Sequence, residues 1–278
     1  MIRIVSDTST LYSTNQALEA GFRVTPLSVT IAGKTYREFD EISSEEFVDI
    51  IRQGHMPTSS QPAIGEVTAQ YDQYPEDQIL NICMAMGLSG TYQSAVSAAQ
   101  LCSHPEDITV INTRTLCGPH RYLAELANAM VAEGSSLEDI VAVLNEKMDS
   151  AKSYLVPADF DYLRRGGRLS PLVSYVGKAA NLTPIMTQTG DGCRLTIASI
   201  RRGFSHAAKH ITEALKKAGV GRGWRIYISH AGALDKAQLA MKLLKEAMPE
   251  AICEILPLSP AFITQGGPGC VAVQYIHE

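Results

Sequence analysis

Residues 86–95 hold the side chains whose types and spacing best suit the binding of an anion. An apolar run, residues 79–86, ends at a turn of small residues, and helix-forming residues follow the turn. Because the first turn of a helix leaves backbone N–H groups without acceptors, the hydroxyls of Ser89 and Thr91 beside them can hold a carboxylate or a phosphate. The alternative is that Ser89 or Thr91 only caps the helix.

Other short segments share this small, polar, glycine-containing character and also lie at the ends of apolar runs. They are residues 6–9, 58–62, 164–168 and 264–269. Binding sites on open α/β sheets lie beyond the carboxyl ends of the strands, where several loops meet. We therefore expect these segments to converge on one cleft.

The spacing of apolar residues predicts the elements that position these loops. In the first half, strand-like runs alternate with helical patterns and indicate a mainly parallel sheet; the runs are residues 2–5, 24–31, 79–84 and 108–111. A capping box at Ser43 and Glu46 predicts one helix start. The segment opened by Ser135 and Glu138 has an apolar stripe of helical period.

A new core begins near residue 151, so we predict two α/β domains, residues 1–152 and 153–278. The second domain is expected to hold a mixed sheet, a helix through Val173 and Val176, and further helices over residues 207–218 and 234–247. Its strand-like runs are residues 154–156, 182–186, 195–200, 225–229, 252–256 and 270–276. No low-complexity linker separates the halves, which favours a tight interface between them.

Composition narrows the possible partners. The 278 residues carry a formal net charge of -5, with 45% hydrophobic and 19% charged residues. No overall positive field draws the protein to nucleic acid or to an anionic bilayer, so we expect no nucleic-acid partner. Residues 78–104 lack charged side chains, but the turn at Gly90 interrupts them, and we expect no stable membrane insertion.

The six cysteines are spread along the chain without a close pair or a histidine spaced to complete a zinc site; they are at positions 83, 102, 117, 193, 253 and 270. We therefore expect free thiols, no bound metal and a reducing, cytoplasmic location. The first seven residues indicate a strand rather than a signal peptide, which agrees with that location.

Arginines form the one concentrated basic feature of the sequence. They are Arg164, Arg165, Arg168, Arg201 and Arg202. The guanidinium group suits phosphate or carboxylate recognition better than an ammonium group does. The alternative is a solvated basic turn, since most surface charges are simply hydrated.

Six segments in register resemble the DegV family, bacterial fatty-acid-binding proteins that serve a fatty acid kinase. The resemblance covers nearly the whole chain and depends on residues 5–9, 59–62, 88–95, 162–170, 182–185 and 266–269. It implies two α/β domains with a ligand tunnel near their interface. A fatty acid lies in that tunnel while a partner kinase phosphorylates its carboxylate.

The resemblance also assigns residues. In the family, a Thr or Ser before Ser-Gln-Pro and the Ser of Ser-Gly-Thr contact the carboxylate, which correspond here to Ser59 and Ser89. The full predicted carboxylate site is Ser59, Ser89, Gly90, Thr91, Gln265 and Gly266. Arg168 and Arg202 are expected to face the kinase or the head group.

One departure from the family concerns the position before the last glycine-rich turn, where the family usually has His and this chain has Gln265. A glutamine can donate a hydrogen bond to a carboxylate but cannot carry a proton or a positive charge. A weaker grip on the head group, or a different ligand, would follow.

Four further polar residues have open roles in the sequence. Asp7 and Ser60 are predicted to support the site, and Asp7 equally suits the fastening of neighbouring loops through backbone N–H groups. His120 and His230 follow or flank strand-like runs, where a histidine is more often structural than part of a site.

The sequence favours a carrier that binds a long-chain fatty acid, presents it to a kinase, and performs no chemistry and needs no cofactor. Residues 87–90 lack the Gly-x-Ser-x-Gly spacing of a nucleophilic serine, and no phosphate loop or nucleotide fingerprint is present. The alternative is a small-molecule hydrolase or phosphotransferase that uses Ser89, Thr91 and the arginines at the same cleft.

Overall fold

A parallel sheet forms the centre of the N-terminal half. The computed structural model describes residues 1–171, 173 and 182–278. The sheet has the order β2–β1–β6–β7, formed by β1 (Ile2–Asp7), β2 (Arg23–Thr25), β6 (Gln78–Cys83) and β7 (Ile108–Asn112). All its pairs are parallel, with Ser6 opposite Ile82 and Ile82 opposite Ile111. This confirms the predicted parallel sheet.

A small antiparallel sheet stands beside the parallel one. It has the order β4–β3–β5, formed by β3 (Ser28–Ile31), β4 (Lys34–Arg37) and β5 (Thr58–Ser60). The sequence predicted one strand over residues 24–31, and this was wrong, because the run divides between β2 and β3. Pro26 lies at the division, and it has no N–H with which to continue a ladder.

The helices of this half cover the parallel sheet and connect its strands. They are α1 (Thr14–Glu19), α2 (Ser44–Arg52), α3 (Ile64–Tyr71), α4 (Thr91–Leu101), α5 (Cys117–Ala132) and α6 (Leu137–Ser150). The predicted capping box is present: Glu46 N donates to Ser43 Oγ, and Glu46 Oε2 accepts from Ser43 N. The cap of α6 is Ser136, one residue later than the sequence suggested.

A mixed sheet dominates the C-terminal half, as predicted. It has the order β10–β9–β8–β13–β11–β12, formed by β8 (Lys152–Val156), β9 (Leu182–Gln188), β10 (Leu195–Arg202), β11 (Trp224–His230), β12 (Ile252–Pro257) and β13 (Val271–His277). β11 and β12 pair in parallel, and the other pairs are antiparallel.

Its helices are α7 (Phe160–Gly166), α8 (Phe204–Lys217), α9 (Leu234–Ala247) and α10 (Pro260–Gly266). α8 and α9 match the two predicted helices closely. For the helix predicted through Val173 and Val176, the described residues include Val173 but not Val176.

One buried apolar cluster joins the two halves. It contains Leu80 and Ile82 of β6, Leu123 of α5, and Tyr227 and Ile276 of the mixed sheet. α5 packs directly on β11, since a Cβ added at Gly118 would lie 2.1 Å from Cγ of Tyr227. The parallel sheet ends before residue 113 and the mixed sheet begins at Lys152, so we retain residue 152 as the proposed domain boundary.

Candidate functional site

A pocket opens where residues of both halves meet. Its volume is about 1010 Å³, counting the part open to solvent. Met84, just beyond the carboxyl end of β6, lines it together with residues of β8, β9 and β13 from the mixed sheet. The apolar part of its wall comprises Leu27, Met84, Leu88, Leu116, Cys117, Tyr154, Leu155, Met186, Leu195, Leu258, Ala261, Phe262 and Ala272.

The pocket gathers five of the residues predicted from sequence. Ser59, Ser60, Ser89, Arg168 and Gln265 all line it. They come from β5, the loop before α4, the segment after α7, and α10, which are far apart in the chain. Four of the five segments expected to converge therefore meet at one cleft, whereas residues 6–9 do not line it. The role of each residue in binding stays a prediction.

Gln265 and Ser59 contact each other across the pocket wall. Gln265 Nε2 donates to Ser59 Oγ at 3.2 Å. Gln265 Oε1 is buried and has no hydrogen-bond partner among the described residues. It lies against Gly166, where an added Cβ would come into steric conflict with it. The small residue at 166 therefore lets the glutamine amide reach the pocket.

Ser89 lies just before the first turn of α4. Its Oγ is 2.8 Å from Thr91 Oγ1 and accepts a hydrogen bond from Thr91 N at 3.3 Å. The N-cap position is Gly90, where an added Cβ would lie 2.7 Å from Gln61 Oε1. Ser89 thus both supports the helix start and lines the pocket, so the two alternatives from the sequence are compatible.

Arg168 brings a positive charge to the same pocket. Its Nε donates to Leu88 O at 3.1 Å, and its Nη1 donates to Gly166 O. Within the described chain no carboxylate forms an ion pair with it. Burial lowers the pKa of this guanidinium from its ordinary value, which still leaves an arginine charged at neutral pH. The charge is therefore available to an anion.

Asp7 fastens the loops beneath the pocket. Its Oδ1 accepts from Ser9 N at 2.9 Å, and its Oδ2 accepts from Met84 N at 3.1 Å. The side chain is 2% exposed and does not line the pocket. Its geometry matches the loop-fastening alternative, because both oxygens hold backbone at the carboxyl ends of β1 and β6.

Besides Asp7, four predicted residues do not belong to the pocket wall as the described residues define it. Thr91 is buried behind Ser89, and Gly90 packs on Gln61. Gly266 is buried against Cys270, where an added Cβ would lie 2.5 Å from Sγ. Arg202 is exposed at the end of β10.

Polar residues of the mixed sheet line the pocket without having been predicted. Gln274 Nε2 donates to Ser153 Oγ and to Leu116 O, both at 2.9 Å. Thr187 Oγ1 donates to Ser153 O at 2.9 Å. Gln274 could have been found from the sequence, because it is a polar residue within the apolar run 271–276. A glutamine in such a run indicates a polar position on the wall of a pocket.

A buried carboxyl group lies behind the pocket wall. Glu38 Oε1 accepts from Thr8 Oγ1 at 2.5 Å, and Oε2 accepts from Ala261 N at 2.8 Å. Complete burial raises the pKa of Glu38 to about 7, against the lowering effect of these hydrogen bonds. Because Ala261 lines the pocket, Glu38 connects the loop after β1 with the start of α10.

The two histidines singled out in the sequence form hydrogen bonds within the fold and do not line the pocket. His120 is fully buried: Nε2 is 2.9 Å from Ile82 O, and Nδ1 is 2.5 Å from Ser9 Oγ. The carbonyl requires the proton on Nε2, so Nδ1 accepts from the Ser9 hydroxyl. Burial lowers the pKa of His120. His230 Nδ1 accepts from Ala233 N at 3.2 Å and caps the following turn.

The fold and the pocket define a class of α/β proteins in which a parallel sheet and a mixed sheet enclose an apolar pocket with a polar rim. Across the described residues, no helix has both the length and the apolar character needed to cross a membrane.

This chain belongs to the DegV family. The model of the family described as "Uncharacterised protein, DegV family" matches residues 1–278. A DegV domain-containing protein of Caldanaerobacter subterraneus is 33% identical over 221 residues, which cover 79% of this chain and 78% of that protein. The resemblance stated from the sequence is confirmed.

Solved structures agree with this assignment. The fold is similar to that of a DegV family protein from Thermus thermophilus, described by its fatty acid binding, with a TM-score of 0.89 and 28% identity over 100% of this chain and 99% of that one. It is also similar to DegV, a fatty acid binding protein from Bacillus subtilis, with a TM-score of 0.88 and 25% identity over 100% and 99%.

Proposed function

We propose that this protein binds a long-chain fatty acid in the pocket, with the hydrocarbon tail against the apolar wall and the carboxylate at the polar rim. The observation that carries the proposal is the pocket itself, in which apolar side chains of both halves adjoin Ser59, Ser89 and Arg168. The fatty acid binding described for the Thermus and Bacillus relatives supports the same ligand class.

The tail provides most of the affinity. Each buried methylene contributes about 0.8 kcal/mol, so roughly fifteen methylenes contribute on the order of 12 kcal/mol before the cost of ordering the chain. Leu116, Leu155 and Met186 offer apolar surface from different elements. We propose that the pocket extends between the two halves as a tunnel when a ligand is bound.

The rim provides orientation. The hydroxyls of Ser59 and Ser89 can each donate to a carboxylate oxygen, and hydrogen bonds to a charged group are stronger than neutral ones. Arg168 adds a positive charge close to Leu88, in the loop before α4. Gln265 holds Ser59 through its amide, so its effect on the carboxylate is partly indirect.

We further propose that the protein is a carrier located in the cytoplasm, which presents the carboxylate to a separate fatty acid kinase that forms the acyl phosphate. The described partners of Ser89 Oγ are the hydroxyl and the amide of Thr91, rather than a histidine. A serine without a base is a weak nucleophile, which disfavours the hydrolase alternative.

Mass spectrometry of the protein purified from cells tests the binding. We expect about one long-chain fatty acid per protein molecule, and rebinding of a free fatty acid after the protein has been delipidated. A preparation without acyl chains that also rejects added fatty acids would overturn the proposal. Turnover of generic esters or phosphate esters, lost on Ser89→Ala, would instead support the enzyme.

A comparison of two arginine variants tests the presentation step. We expect Arg168→Ala to slow acyl-phosphate formation by a fatty acid kinase at saturating fatty acid, because the charge beside the head group is lost. Arg222→Ala is the matched control, since Arg222 is exposed and pairs with Glu250 away from the pocket. Equal phosphorylation rates for the wild type and Arg168→Ala would contradict this role.

A further inference from the structure

A second cluster of chemically active side chains lies at the opposite end of α4 from the pocket. Asp72 follows α3, while Cys102 and His104 follow α4. One ligand atom of each side chain lies within 4.8 Å of those of the other two. Cys102 and His104 are buried, and Asp72 is exposed. These are three side-chain types that bind transition metals.

The imidazole of His104 is oriented as a metal ligand. Its Nε2 is 2.9 Å from Tyr74 O, and a carbonyl can only accept, so Nε2 carries the proton. The lone pair of Nδ1 then points away from that bond, and Nδ1 is 3.6 Å from Cys102 Sγ. A ligating histidine usually donates its other N–H to a carbonyl or a carboxylate in this way.

The distance between sulfur and nitrogen fits a shared ion. With a Zn–S bond of about 2.3 Å and a Zn–N bond of about 2.0 to 2.1 Å, tetrahedral coordination places the two ligand atoms about 3.5 Å apart. The observed separation is 3.6 Å. The thiol has one proton and two acceptors, Nδ1 and Ala99 O at 3.2 Å, so the proton can serve only one of them.

Asp72 completes the set with a negative charge. Its Oδ1 accepts from Ser103 N at 2.8 Å and from Ser103 Oγ at 2.9 Å, and Ser103 lies between the other two ligands. Because Asp72 is exposed, the cluster is open to ions from solvent on that side.

We propose that Asp72, Cys102 and His104 form a zinc-binding site, with water as the fourth ligand. Zn²⁺ binds through the thiolate of Cys102, Nδ1 of His104 and a carboxylate oxygen of Asp72. The thiol proton leaves to solvent as the Zn–S bond forms. A thiolate and an imidazole favour Zn²⁺ over Mg²⁺ and Ca²⁺, which prefer oxygen ligands.

This site is separate from the fatty-acid pocket. α4 has 11 residues and therefore a length of about 16 Å, with Ser89 before its start and Cys102 after its end. None of the three proposed ligands lines the pocket as the described residues define it. The proposal therefore stands whether or not the protein binds fatty acids.

Metal titration of chelator-treated protein tests the site. We expect one equivalent of Zn²⁺ to bind, measured by competition with a chromophoric chelator. Co²⁺ in its place should give a thiolate-to-cobalt charge-transfer band and the intense visible bands of tetrahedral cobalt. Both Cys102→Ser and His104→Gln should weaken Zn²⁺ binding at least tenfold, since even the loss of an outer hydrogen-bond partner costs about 10- to 100-fold.

Cys193→Ser is the matched control, because Cys193 is an exposed thiol outside the cluster. The Cys193→Ser variant should bind Zn²⁺ as tightly as the wild type does. Circular dichroism verifies that each variant is folded; if Cys102→Ser is not, His104→Gln decides. The proposal is overturned if the wild type takes up no stoichiometric zinc, if the cobalt complex lacks the thiolate band, or if the folded ligand variants bind zinc as tightly as the wild type.

Discussion

The two ends of α4 show two different ways to assemble a polar site. At its start, Ser89 meets Ser59, Arg168 and Gln265, which come from distant segments. At its end, two of the three clustered side chains are separated by a single residue, and only Asp72 comes from elsewhere. The first site needs the whole fold, whereas the second needs one helix end and one neighbouring turn.

The surroundings of the pocket and those of the far end of α4 shift the pKa of a carboxyl group in opposite directions. Glu38, behind the pocket, is fully buried, and its pKa is raised to about 7. Asp72, at the far end, is exposed, and hydrogen bonds from Ser103 lower its pKa. Burial disfavours a charge, whereas N–H and O–H donors favour it, and of the two carboxyl groups only that of Asp72 is exposed to solvent.

Filling the pocket with a larger side chain should cause the largest loss of fatty-acid affinity. It should leave zinc binding at the far end of α4 unchanged. Ala272→Phe places a ring in the pocket, and the exclusion of about four tail methylenes costs about 3 kcal/mol, on the order of a 100-fold loss of fatty-acid affinity. Isothermal titration with a long-chain fatty acid measures this loss. Ala198→Phe, on an exposed position of β10, is the control and should bind normally.

Removing the buried carboxyl should change the pH dependence of stability. The folded pKa of Glu38 lies above its ordinary value of 4.5, so its protonated form contributes stability below pH 4.5 that is lost as the pH rises through about 7. The free energy of unfolding of the wild type, relative to Glu38→Gln, should fall by about 3 kcal/mol between these values. Urea unfolding across this range measures the difference, and parallel curves for the two proteins would contradict it.

The burial of His120 changes the free energy of unfolding with pH in the opposite direction. It is present in both the wild type and Glu38→Gln. Its folded pKa is lowered, so its neutral form contributes stability above pH 6.5 that is lost as the pH falls. The comparison with Glu38→Gln cancels this contribution, because His120 is present in each.

A single hydroxyl at the rim should have an intermediate effect. Ser89→Ala removes one donor to the carboxylate, at a cost of about 1.5 to 3 kcal/mol, which is about 10- to 150-fold in fatty-acid affinity. Ser205→Ala, an exposed serine of α8, is the control for the same assay. Equal affinities of Ser89→Ala and the wild type would place the carboxylate away from α4.

The smallest effect is expected on zinc affinity, at the proposed site beyond the end of α4. Ser103→Ala removes one of the two hydrogen bonds that orient Asp72, at about 0.5 to 1.5 kcal/mol, so zinc affinity should fall about two- to tenfold. The same variant should leave fatty-acid affinity unchanged. A change in fatty-acid binding on Ser103→Ala would show that the two ends are coupled.

Local pattern predicted much of the fold because its causes are local. The capping box at Ser43, the apolar stripe of α6 and the strand runs of the mixed sheet each follow from residues a few positions apart. The single strand predicted over residues 24–31 was wrong, because Pro26 divides the run and its two parts join different sheets.

By itself the sequence determined the α/β order, the membership of the DegV family and the polar segments that meet at the pocket, because these depend on residue types and on short spacings. Tertiary structure alone decided which of the predicted residues line the pocket, that Glu38 is buried behind it, and that Asp72 approaches Cys102 and His104. Proximity between distant segments depends on how sheets and helices pack, and burial then sets the charge that each side chain can carry.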